Sequence, residues 1–251
     1  MSNSSAQERT ENLLSADRKQ DQSESKLFFS SQSRAIWQST GENICQLVSG
    51  RKVDSALYSN ILSVRVNTDS RWADQGTPVD NHSDHYCMFV NKVPVGSLGV
   101  TRLLEGEVYL NEFCPPQLFE DFRDSLVSAY RYRILSDFRR GSALVPELQL
   151  SKYLVREAWR EQIRKGARID VINIEMTHVP LYQRMGYVLC EGYDYLDPVL
   201  GTPSGVMFLP TDPDRSSIIQ DIVRESGIAL SVGEVEASLY KTSVSVTQKI
   251  A

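Results

Sequence analysis

The stretch that most constrains this chain runs from Pro146 to Tyr187, PELQLSKYLVREAWREQIRKGARIDVINIEMTHVPLYQRMGY. Its hydrophobic pattern changes period along the way. Leu148, Leu150, Tyr153 and Val155 fall in a β-rich run, and the charged segment from Arg156 to Lys165 then shifts to helical spacing. Gly166 marks the helix end, because a glycine there takes the left-handed conformation that closes off the last carbonyls. Ile169, Val171, Ile172 and Ile174 make the next strand, so the stretch reads as a βαβ unit of the kind that grips a phosphate-bearing ligand.

Around that unit the chain has the means to build a full core, with 251 residues of which 41% are hydrophobic. Its net charge of −5 argues against nonspecific nucleic-acid binding, which needs a broadly basic surface. No apolar run approaches the ~20 residues of a membrane helix, and the opening MSNSSAQERT lacks a basic-then-apolar secretory pattern. A cytoplasmic protein without a membrane span is expected. Cys45, Cys87, Cys114 and Cys190 are far apart and form no CxxC pair, so they are expected as buried, reduced thiols. His82, His85 and His178 lack the spacing of a metal cluster, and no metal is predicted.

Residues 1–26 are polar and nearly free of large apolar groups, which predicts a disordered tail. From Leu27 to Val48 apolar residues recur loosely at helical spacing, so residues 27–52 are expected as the helical beginning of a domain running to residue 212. Residues 53–66 fit either a helix capped by Asp54 or a strand toward the end. His85 to Val90 reads as a strand accessible on at least one face, Asn91 to Pro94 as a turn, and VGSLGVTRLL as the second strand of a hairpin. Gly96 and Gly99 in that strand mark a close approach of backbone or ligand. After Pro115 and Pro116, the residues Leu118, Phe119, Phe122, Leu126, Ala129, Tyr130 and Ile134 lie at offsets of three and four. They predict the clearest amphipathic helix in the chain, with Arg123, Arg131 and Arg133 on its other face. Tyr187 to Tyr195 and Gly205 to Leu209 read as strands, and residues 213–251 as a helical extension whose first helix ends at Gly227.

The order hairpin, helix, strand, helix, strand, helix, closed by LYQRMGY from Leu181 to Tyr187, resembles the GCN5-related N-acetyltransferase superfamily. The resemblance implies an α+β fold with a mixed, largely antiparallel sheet, a central parallel splay and flanking helices. It also implies that Tyr182 stands near the cofactor sulfur and protonates the departing thiolate, which a phenol with an ordinary pKa near ~10 can do. Asp80, Ser83, His85, Pro94, Val95, Gly96, Arg102 and QLSKYLV at Gln149 to Val155 further resemble the N-acyl amino acid synthases, relatives of the acyl-homoserine lactone synthases. Where that family has Glu-x-Ser-Arg, this chain has Gln149, Leu150, Ser151 and Lys152. Glutamine cannot take a proton as glutamate can, so the general base is expected to be Glu147, two residues earlier on the same side of a strand, or water. The Arg, Phe and Trp spacing of the lactone synthases is echoed only loosely, by Arg65 and Trp72.

The turn usually rich in glycine is here Val155, Arg156, Glu157, Ala158, Trp159, Arg160. Arg156, Arg160 and Arg164 repeat every four residues and form one basic stripe. It either receives the phosphates of coenzyme A or an acidic acyl carrier protein, or is a solvated face paired with Glu157 and Glu161. Backbone N–H groups near Leu154 and Val155 are expected to stabilise an oxyanion. Arg102 is expected to bind the acceptor's carboxylate, with His85, Gln149 and Ser151 beside it. The implied reaction moves an acyl group from an acyl-CoA or acyl carrier protein thioester to the primary amine of an amino acid or related small molecule. An acetyl-CoA-dependent N-acetyltransferase and a noncatalytic acyl-CoA-binding module are the alternatives.

Overall fold

The computed structural model describes residues 34–40, 43–68, 77–108, 110, 113–138, 150–198, 200–215 and 218–241. The segment expected to open with helices is instead a β-hairpin, β1 (Arg34–Thr40) and β2 (Asn43–Gly50). In β2 the two-residue period decides: Cys45 and Leu47 join the core on one side of the sheet and Val48 the core on the other. The ambiguous stretch that follows is a helix, α1 (Ser55–Thr68), and the Asp54 carboxylate accepts the Leu57 N–H at 3.0 Å as its cap. β3 (Asp84–Val90) and β4 (Val93–Arg102) form the expected hairpin, turned at Asn91 and Lys92 with φ of 49° and 70°. β3 is not open on either face. Cys87 and Phe89 pack with α1 residues, while Tyr86 and Met88 enter the larger core on the opposite side.

The long amphipathic helix expected from Leu118 to Ile134 does not form. A short helix, α2 (Pro116–Asp121), ends at Phe122, and the chain resumes as a strand, β5 (Leu126–Ile134). LVSAYRYRI is rich in β-branched and aromatic residues, which fit a pleated surface better than a helix. A second correction concerns QLSKYLV. Residues 150–155 belong to a helix, α3 (Leu150–Arg164), that buries Leu150, Leu154, Ala158 and Ile163 against the sheet. The βαβ unit survives with β5 as its first strand and β6 (Ile169–Glu175) as its second. Glu147, Gln149, Trp72 and the tail at 1–26 lie outside the described residues.

α4 (Val179–Arg184), β7 (Val188–Leu196) and β8 (Pro203–Pro210) follow, then α5 (Gln220–Ser226) and α6 (Val232–Leu239). The sheet order is β1-β2-β3-β4-β5-β6-β8-β7, antiparallel throughout except for β5 beside β6. That parallel pair joins only at Leu126 with Ile169 and Val127 with Asp170. α3 and α5 cover one face of the sheet, and α1, α2 and α6 the other. The segment expected as an extension is therefore built into the domain: Ile222 and Val223 join the first core, and Val235 and Leu239 the second.

On the α1 face, one buried carboxylate ties α1 and β5 to the turn that carries it. Asp80 is fully buried and accepts hydrogen bonds from Tyr58 Oη at 2.9 Å, Tyr130 Oη at 2.6 Å and the Thr77 N–H at 2.7 Å. The Arg65 guanidinium lies 3.4 Å away. Gly99 stands opposite Tyr130 because a Cβ there would lie 2.5 Å from the ring, so the glycine marks the approach of a side chain rather than a ligand. Burial alone would raise the Asp80 pKa. Arg65, followed by the bonds from Tyr130, Thr77 and Tyr58, outweighs it and holds the carboxyl well below the usual range. This group's stabilisation is present above the ordinary carboxylate pKa of about 4 and declines as pH falls below it. Arg65→Met, which strands the carboxylate, is expected to cost about 3–5 kcal/mol in denaturant unfolding at neutral pH. A loss under about 1 kcal/mol would show that the pair does not anchor the fold.

Candidate functional site

β5 and β6 pair for two residues and then part, which leaves facing strand edges with backbone groups that no longer meet. Asp170 sits at the point of divergence. It is fully buried, and its Oδ1 accepts the Ala129 N–H across the gap at 2.8 Å. Its other oxygen accepts the Tyr187 hydroxyl, and Tyr187 in turn is hydrogen-bonded by the Trp159 indole of α3. Burial pushes the Asp170 carboxyl up to about 6, against the opposing bonds from Tyr187, Ala129 and Val171.

The opening between the two strands is a groove of about 1320 Å³. Val155, Trp159 and Ile172 line it on the α3 side of the sheet, and Val108, Leu110 and Tyr195 on the other, so it connects the two faces. β5 carries a bulge along this edge: Ser97 pairs with Arg133 and Gly99 with Tyr130, so Arg131 and Tyr132 together oppose Leu98, with Arg131 at φ 50°. Arg131 and Arg133, expected on the outer face of a helix, line the groove.

Tyr182 also lines it. Gly186, at φ 101°, turns the chain back after α4, the Tyr187 N–H bonds the Tyr182 carbonyl at 3.1 Å, and the two rings meet edge to face with centroids 5.4 Å apart. The LYQRMGY sequence thus places one tyrosine at the groove and the next on Asp170. Burial pushes the Tyr182 phenol up to about 12, with Arg133 opposing, so it carries its proton at neutral pH.

The other expected site residues divide sharply. Ser151 lines the groove in the first turn of α3, with Lys152 beside it. Val155 lines it too, whereas Leu154 is core. Neither residue has an N–H for an oxyanion, since both lie past the first turn, where each amide is given to the carbonyl four residues back. The basic stripe faces away from the groove: Arg156 pairs with Asp221, Arg160 pairs with Glu157, and Arg164 is exposed. Arg102 is 8% exposed, lies 3.6 Å from Glu105 and does not line the groove. His85 is fully buried with Nε2 at 3.0 Å from the Asp80 carbonyl oxygen, and burial pushes its pKa down to about 4, so it belongs to the Asp80 cluster. Asp170 and Trp159 escaped notice in the sequence. The available signal was an aspartate inside the apolar run Ile169 to Ile172, where a buried charge demands partners.

Among the described residues no group of three or more His, Cys, Asp or Glu is placed to hold a metal ion, and no helix is long and apolar enough to cross a membrane. The four cysteines are free and buried. No protein-family model and no curated protein matches the sequence. Solved structures similar to it include an N-acyl amino acid synthase and a CoA-dependent acyl-homoserine lactone synthase. FeeM, an N-acyl amino acid synthase from uncultured soil microbes, is 10% identical with a TM-score of 0.48, over 75% of this chain and 97% of that one. BjaI, a CoA-dependent acyl-homoserine lactone synthase solved with SAM and isopentyl-CoA, is 10% identical with a TM-score of 0.44, over 76% and 96%. Escherichia coli ElaA is 12% identical with a TM-score of 0.45, over 70% and 99%. At these identities the likeness is one of fold.

Asp170 has the opposite linkage to Asp80. A carboxyl that titrates near 6 in the fold and near 4 when unfolded stabilises the protein below about pH 4, and that contribution is lost as pH rises through about 6. Its ionisation then costs about 3 kcal/mol at neutral pH, to order of magnitude. In Asp170→Asn the difference in unfolding free energy from the native chain is expected to change by that order between about pH 4 and 7. A difference that stays flat with pH would mean that Asp170 does not hold a shifted proton.

Proposed function

We propose that this chain is an N-acyltransferase that moves an acyl group from an acyl-CoA thioester to the primary amine of an amino acid or a related small molecule. The observation that carries this reading is the groove between the parted strands, with Tyr182 at its wall. Two strands that part and face each other across a groove suit an extended ligand, as the pantetheine arm of coenzyme A is. Ser151 and Lys152 stand at the N-terminus of a 15-residue helix, where free N–H groups and the helix dipole favour the pyrophosphate. Donor from the α3 side and amine from the opposite face would meet at the splay.

Glu147 or water takes the ammonium proton, and the free amine attacks the thioester carbonyl. The amides of Leu154 and Val155 are engaged within the helix, so the oxyanion takes its hydrogen bond from elsewhere on the groove wall. Collapse of the tetrahedral intermediate breaks the C–S bond, and Tyr182 gives its proton to the thiolate, so no cysteine is acylated. The phosphopantetheine arm of an acyl carrier protein has the same chemistry, and comparing the two donors decides between them.

The test is release of free thiol from acyl-CoA or acyl carrier protein in the presence of amino acids. Tyr182→Phe is expected to lower kcat about 100-fold or more while donor binding is kept. An unchanged rate would remove Tyr182 from the chemistry. Binding without turnover by the native chain, whatever the thioester and amine, would favour a noncatalytic module.

A further inference from the structure

Among the described residues the carboxyl groups that line the groove belong to Glu107, Asp170, Glu175 and Asp197. Asp170 is fully buried and holds the Ala129 N–H and the Tyr187 hydroxyl. Asp197 secures the turn after β7 by accepting the Leu200 N–H at 2.9 Å. Glu107 is exposed on the loop that follows β4. Glu175 differs from all three. It is the last residue of β6, one of the two strands that part, and it is half-buried, so a ligand in the groove can reach it. Its side chain does not cap the short turn Met176–His178 that follows, and its carboxylate has no hydrogen bond or ion pair among the described residues.

The register fixes the face on which Glu175 stands. Val171 lies in the second core with Val206 and Phe208, and the two-residue period carries the same face on to Glu175. Glu175 pairs with Ser204 of β8 and Ser204 with Tyr195 of β7, so the three form one row across the sheet, and all three line the groove. Tyr195 packs on the second core, whereas Tyr182 packs on the first. The carboxylate and the Tyr182 phenol therefore belong to opposite faces of the sheet. Aminolysis of a thioester needs this division, an acid beside the departing sulfur and a base beside the incoming amine. Near neutral pH an alkyl amine arrives as an ammonium ion, for which a carboxylate is both a binding partner and a proton acceptor.

Resting on the acyltransferase reading, we propose that Glu175, rather than Glu147 or water, is the general base that takes a proton from the acceptor's ammonium group. The freed lone pair forms the C–N bond, the C–S bond breaks with its electrons on sulfur, and the thiolate takes the Tyr182 proton. The second proton on nitrogen restores the Tyr182 phenol, and Glu175 gives its own to water at the open groove, so one proton leaves per turnover. In Glu175→Gln, kcat at neutral pH is expected to fall about 100-fold or more, while the Kd of a non-transferable acyl-CoA thioether, bound from the other face, changes by less than about two-fold. The loss is expected to shrink as pH rises toward the pKa of the acceptor amine, where the amine arrives already deprotonated. Glu175→Asp keeps the charge but withdraws it by one methylene. It is expected to lose about ten-fold or more, with the same narrowing at high pH, and it serves if the Gln variant does not fold. Native rates in these variants, or a deficit equal at every pH, overturn the inference alone. Absence of transfer by the native chain from every thioester and amine overturns the acyltransferase reading, and the inference with it.

Discussion

The hydrogen bond from the Ala129 N–H to Asp170 spans the gap where a sheet would otherwise close. A parallel pair that kept its ladder would fill the space between β5 and β6 with backbone bonds. Here the ladder stops after two residues, and the Asp170 carboxylate replaces the backbone acceptor that Ala129 loses. The carboxylate is satisfied in turn by Tyr187, and Tyr187 is held by Trp159 of α3. A single side chain thus links the divergence of the strands to the helix on one side and to the turn carrying Tyr182 on the other. Burying it is unfavourable, as its raised pKa shows, and the fold retains the group where it keeps a groove open.

β5 is fixed from both faces. Ala129 reaches Asp170 on the α3 side, and the next residue, Tyr130, reaches Asp80 on the α1 side. The two acids meet different surroundings. Asp80 has a guanidinium and three donors, so its charge is favoured, whereas Asp170 has neutral donors only and its charge is resisted. The bulge at Arg131 follows directly after this doubly held pair, where the strand leaves its partner's register and presents its edge to the groove.

Much of the architecture was legible in the sequence where local chemistry and tertiary role agree. Gly166 ends α3 with φ 91°, Gly227 ends α5 with φ 66°, and LYQRMGY forms the helix, turn and strand start that place Tyr182 at the groove. Periodicity misled where two short elements follow one another. The offsets from Leu118 to Ile134 combine residues of α2 with residues from both faces of β5, and no helix connects them. Residues 150–155 suit a strand by type, yet the burial of Leu150, Leu154 and Ala158 on one stripe makes them helical, a tertiary effect that intrinsic propensity does not carry. The arginine stripe was a true helical pattern, but which face it occupies depends on the sheet beneath. Trp159 and Val155 took the inner face, and the arginines were left to pair with Asp221 and Glu157. His85 and Arg102 carried plausible chemistry and proved to be held in other clusters.

The site that results rests less on conspicuous charges than on two strands that part after two paired residues and leave a groove between them. Amide hydrogen exchange, with and without a non-transferable acyl-CoA thioether, tests this most directly. Slowed exchange concentrated in Leu126–Ile134, in Ile169–Glu175 and in the first turn of Leu150–Arg164 is the predicted result. Binding that leaves these three segments unchanged and protects another part of the chain would contradict the account.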